Sequence, residues 1–229
     1  MVFDIVAFLT NPVLPQWFYN SAVGIQALGI IVSFVISYIG FKAYKLTKEK
    51  KYRYFFYGFL FLGLSFLANL ALNIILRLGY ARYLIERRYD PYILPLFLIY
   101  YFFLIGTMLA YVSFAIVYED IKVKSRIWLL YFWTFVIGIY TFRDDLLFNV
   151  FSAVLISFTV MFSHEKYLQT RNKNTLFTFL AFLCLFIFHI FILLQQRVPA
   201  MLAVRSLILL VGLVLFLIPL LKIYGGKKK

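Results

Sequence analysis

Ser65, Asn69, Asn73 and Arg77 recur at every fourth position inside an otherwise apolar stretch, a spacing that sets them along one slowly drifting face of a helix. Amides and a guanidinium on such a face either bind a polar ligand or tie one helix to the next. A second row holds His189 and Gln196, seven residues apart and again on one face. Arg205 stands about one turn inside another apolar run, Asn149 opens a third, Gln26 lies in the first, and Asp144 and Asp145 precede Asn149. Together Asn73, Arg77, Asn149, His189, Gln196 and Arg205 outline a pocket for a small polar or anionic group, with arginine supplying a planar fork of donors. The plainer reading competes at each position. Ser65 and Asn69 read as helix ties worth roughly 0.6–2 kcal/mol each. For Arg77 and Arg205 the alternative is snorkelling, or pairing with Asp144, Asp145 or Asp90. His189 reads first as a buried neutral histidine and second as a proton sensor.

Catalytic chemistry finds little support. The chain has 2 histidines and 1 cysteine, too few for the usual metal-ligand spacings. It has no nucleophile elbow, Gly-rich phosphate loop or HExxH helix. Asp144 and Asp145 are adjacent and follow Arg143, the pattern of a solvated turn. The expectation is a protein that is not an enzyme and carries no cofactor or metal.

The elements that must position these residues are membrane spans. Of 229 residues, 64% are hydrophobic and 21% aromatic, and the mean hydropathy is +0.91. A bilayer core about 30 Å thick needs roughly 20 mostly apolar residues per crossing. Seven such runs fit, at residues 17–41, 54–77, 92–117, 127–142, 146–163, 175–196 and 202–224. They form one bundle over residues 17–224, after an interfacial segment at 1–16 and before a basic tail at 225–229. The opening segment carries Asp4 where a secretion signal has basic residues, so no cleavable signal is expected. The fourth run is short and relies on flanking snorkelling by Arg126 and Arg143.

Charge tests that count. The chain carries 23 basic and 9 acidic residues. With seven crossings every lysine falls on one side, together with Arg53, Arg126 and Arg171, whereas the other side holds only Arg77, Arg82, Arg87, Arg88, Arg143, Arg197 and Arg205. Removing the fourth crossing would scatter this segregation. The positive-inside rule then places the N-terminus outside and the C-terminus in the cytoplasm, and the excess charge points to anionic lipid headgroups rather than nucleic acid. The expected location is the cell membrane.

The stretch starting YKLTKEK at Tyr44 returns as YLQTRNK at Tyr167. In this pairing Tyr44, Thr47, Lys50, Phe56, Phe59, Leu60 and Leu62 match Tyr167, Thr170, Lys173, Phe179, Phe182, Leu183 and Leu185, and Lys48 faces Arg171. Helices one to three then correspond to helices five to seven, with the fourth restoring the membrane orientation of the second half: a parallel 3+1+3 pseudo-repeat. This arrangement resembles the 3+1+3 seven-helix membrane proteins, a group that includes microbial rhodopsins and PQ-loop facilitators. The resemblance implies an all-α integral membrane bundle used for sensing or transport. Two departures bear on function. The last run has no lysine until Lys222, so a retinal Schiff base is not implied, and the Pro15–Gln16 pair precedes the first run.

The expected function is a receptor-like or sensor-like module that binds a small ligand, lipid or partner helix from its outer half and signals to a separate effector protein. The alternatives are a facilitative transporter of a small solute and a non-catalytic membrane assembly subunit. Active transport is disfavoured because no carboxylate lies deep in any run. Gly29, Ser33 and Ser37 form a small-residue stripe on the first run, read by default as a contact within one bundle and otherwise as a homo-oligomer contact.

Overall fold

The computed structural model describes residues 16–77, 93–119, 123–141, 144–195 and 201–225. All regular structure among them is helical: α1 (Gln16–Thr47), α2 (Lys50–Arg77), α3 (Ile93–Glu119), α4 (Lys124–Thr141), α5 (Asp145–Thr170), α6 (Lys173–Gln195) and α7 (Met201–Gly225). Five of them, α1, α2, α3, α5 and α6, contain stretches long and apolar enough to cross a membrane. α7 offers a shorter apolar stretch, Val204–Pro219. The segment 1–15 and the end of the basic tail lie outside the described residues.

Helices run past the expected spans where hydrophobicity gives way to charge. α1 continues to Thr47 and α5 to Thr170, so most of each repeated phrase is helical and the connection shrinks to two residues. Both connections use one device. Lys48 and Arg171 take left-handed backbone conformations, φ 58° and 48°, and each amide donates back to the carbonyl four residues earlier, Lys48 to Tyr44 and Arg171 to Tyr167, both at 2.8 Å. Thr47 and Thr170 each donate their hydroxyl to the carbonyl four residues before, Ala43 and Lys166. This is the αL cap that ends many helices and satisfies a last carbonyl.

Six helices close a ring in the order α1, α2, α3, α5, α6, α7, and back to α1. α4 lies outside it, packed on α3 and touching α5, with Trp128, Phe132, Trp133 and Tyr140 exposed. The small stripe on α1 is consumed inside the chain. Gly29 lies against Phe66, Ser33 faces Gly63, and the Ser37 hydroxyl donates to the Phe56 carbonyl at 3.2 Å. Small residues let α1 and α2 approach closely.

At the centre four buried rings meet: Phe59 of α2, Phe114 of α3, Phe182 of α6 and Phe216 of α7. Phe59–Phe114 centroids lie 4.8 Å apart and Phe182–Phe216 4.9 Å. The crossing pairs, Phe59–Phe216 and Phe114–Phe182, lie at 5.1 and 5.2 Å. These separations and tilted geometries are those favoured by aromatic quadrupoles. Around them Val32, Ile36, Leu62, Leu185 and Leu213 complete the main core.

Elsewhere the surface is strongly apolar, with Ile31 60% and Leu94 65% exposed. Exposed apolar area on this scale marks contact with an apolar environment.

Candidate functional site

Three buried polar side chains from three helices form one hydrogen-bonded chain. His189 of α6, 1% exposed, places Nε2 at 2.8 Å from the Tyr111 hydroxyl of α3 and Nδ1 at 3.1 Å from Asn149 Oδ1 of α5. A carboxamide oxygen only accepts, so Nδ1–H donates to Asn149 and the Tyr111 hydroxyl donates to Nε2. That assignment describes a neutral imidazole with both nitrogens used. Its ring is walled by Tyr111, Phe148 and Phe188, with centroids at 5.4, 6.2 and 5.4 Å.

Each helix supplies its member for a local reason. Asp144 caps α5, its carboxylate accepting from the amides of Leu146 and Leu147 at 2.8 and 3.3 Å, and this starts the helix just before Asn149. Asp144 therefore has a helix-capping role. One turn on, the Ser152 hydroxyl is fully buried and has no hydrogen-bond partner. Arg205, near the start of α7 and half-buried, lays its guanidinium 5.7 Å from the Phe188 ring, a cation–π distance. Since Phe188 is the neighbour of His189, the guanidinium borders the aromatic wall.

Of the residues expected to share a site, the structure gathers Asn149, His189 and Arg205. The Asn73 amide donates to Gln26 Oε1 at 3.1 Å, tying α2 to α1 within the first half. Ser65 donates to the Phe61 carbonyl of its own helix at 2.7 Å. Gln196 and the side chain of Arg77 lie outside the described residues. Tyr111 was not anticipated from sequence. It is one of 18 tyrosines in an aromatic run, and only the crossing of α3 and α6 singles it out. Among the described residues no group of histidine, cysteine and carboxylate side chains could hold a metal ion.

The pairing that sets Tyr44 on Tyr167 sets Gln26 on Asn149 and Phe66 on His189. In both halves an amide from the first helix reaches the second, to Asn73 in one and to His189 in the other. Where the second half has a histidine, the first has buried Phe66. No family profile, curated protein or solved structure matches the chain. What fold and site define together is a class: an all-helical protein whose apolar helices suit a multi-pass membrane protein, with a polar chain at its interior.

Proposed function

We propose that this chain is a seven-helix sensor-like membrane module, built of two parallel three-helix halves joined by α4, that binds a small polar or anionic ligand at the Arg205 end of the bundle. The reading carries binding rather than catalysis, a cell-membrane location with the lysine-bearing end in the cytoplasm, and output through a separate effector protein. One observation carries it: the Tyr111–His189–Asn149 chain stands where the first half has a phenylalanine. A fold that accepts Phe66 does not need a histidine at the matching position, and burying polar groups in an apolar interior is unfavourable unless they serve a purpose. Ser152 adds a buried hydroxyl still open to a partner.

The two-half plan is supported by the paired αL caps and by the ring of helices, which maps onto itself when α1, α2 and α3 exchange with α5, α6 and α7. The same symmetry favours a second reading, facilitative transport, because halves that meet at a four-ring apolar hub can rock about it. The assembly-subunit alternative loses its main support, since the small-residue stripe is used inside the chain.

The test is a thermal-shift screen of small polar and anionic solutes on purified protein in detergent, comparing wild type with Arg205→Ala and His189→Phe. Stabilisation by a solute in wild type that disappears in both variants is expected. A response retained by both would remove this site. Flux of the same solute into liposomes would choose transport over sensing.

A further inference from the structure

A second polar cluster lies at the opposite, lysine-bearing end, and it is independent of the His189 site. Arg53, in the first turn of α2, directs its guanidinium at a neutral phenol. One terminal nitrogen donates to the Tyr54 hydroxyl at 3.4 Å and the group lies 5.3 Å from the Tyr54 ring, with Tyr44 and Tyr57 nearby. Its Nε is buried and has no hydrogen-bond partner. The nearby Glu49 is taken by Lys51 at 2.5 Å. Among the described residues no carboxylate pairs with Arg53, so a cation with five donors meets no anion.

Tyr54 and Tyr131 pack on Val112, Ile116 and Ile127, and Tyr131 shares a hydrogen bond with Ser113 at 2.8 Å. Tyr54, the phenol bonded to Arg53, is thus held by α3 and α4. The matching hairpin of the second half carries Leu176, Phe177 and Leu180 in place of Arg53, Tyr54 and Tyr57. Since that hairpin has the same αL cap and the same capping bond, neither the guanidinium nor the phenols of Tyr54 and Tyr57 are required to build the turn.

We propose that Arg53 with its tyrosines is a phosphate-binding site at the membrane boundary. An oxyanion would supply the acceptor that Nε lacks and would meet a planar donor fork, with phenolic hydroxyls turning to donate to its remaining oxygens. A phospholipid headgroup and free inorganic phosphate share this chemistry. The inference rests on the lysine-bearing end lying at a membrane–water boundary, and on nothing at the His189 end.

The experiment is native mass spectrometry of the full-length protein from detergent micelles, titrated with phosphatidic acid, with diacylglycerol, or with inorganic phosphate. Phosphatidic acid is expected to bind on the order of tenfold more tightly to wild type than to Arg53→Gln, and diacylglycerol to show no such difference. Arg53→Lys keeps the charge without the fork and should fall between them. Lys124→Gln, an equal loss of charge at the same end, should leave binding unchanged within about twofold. A difference seen with inorganic phosphate alone supports the site with a solute anion as occupant. Equal losses in Arg53→Gln and Lys124→Gln, or no loss in either, overturn the proposal in favour of a diffuse basic surface. Should Arg53→Gln fail to fold, equal binding by Arg53→Lys and wild type overturns it.

Discussion

Replacing His189 by phenylalanine gives the second half the residue that the first half already has, and it strips partners from two buried groups. The Tyr111 hydroxyl, in a residue 2% exposed, loses an acceptor at 2.8 Å. Leaving a buried hydroxyl unsatisfied costs about 1–3 kcal/mol. Asn149 has a further interaction and suffers less. The larger apolar ring recovers part of this, so His189→Phe is expected to destabilise by about 1–2 kcal/mol. Tyr111→Phe alone orphans Nε2 and is expected to cost about 1 kcal/mol. The double variant removes donor and acceptor together, so its loss should fall short of the sum by about 0.6–1.7 kcal/mol, the range for hydrogen bonds between membrane helices. The assay is reversible unfolding in mixed micelles with increasing dodecyl sulfate, followed by tryptophan fluorescence for all four members of the cycle. Additivity within about 0.3 kcal/mol would refute the bond between Tyr111 and His189, and with it the polar chain on which the site is built.

Three further outcomes follow from the same geometry. A Cβ at Gly58 would overlap the Phe114 ring, so Gly58→Ala should destabilise by about 1–3 kcal/mol in the same assay, although the matching position already holds buried Ala181. Glycine at Lys48 or at Arg171 relieves a left-handed residue and should stabilise by up to about 1 kcal/mol, with a similar gain at both turns in thermal unfolding. With Cys184 replaced by serine, single cysteines at Glu49 and Asn172 should react with an impermeant maleimide from one face of the membrane, and one at Asp144 from the other; labelling of all three from one face would break the seven-crossing topology.

The seven described helices were legible as apolar runs between charged turns, because a segment placed in lipid has little choice but helix. Their interior ends were less so. α1 and α5 carry their helices through Tyr44–Thr47 and Tyr167–Thr170 into the charged phrases, since hydropathy reports the solvent and not the hydrogen-bond ladder. The site divided in the same way. His189, Asn149 and Arg205 stand out as polar letters in apolar text. Tyr111 does not, because an amphipathic phenol sits equally well in a core, at a headgroup or in a lipid-facing surface.

Composition, the repeated phrase and the segregation of lysines by themselves determine a chain that is helical and apolar enough for membrane crossing, with its polar residues confined to a few positions. Those are properties of single segments, set by transfer of each segment from water to lipid and independent of its neighbours. Which polar residues meet is a property of helix rotation and crossing. That was decided only in the assembled ring, where side-chain packing turns Asn73 toward Gln26 and brings Asn149, His189 and Tyr111 together. No spacing along the chain encodes a contact between residues 78 positions apart; it arises only when the helices that carry them pack closely.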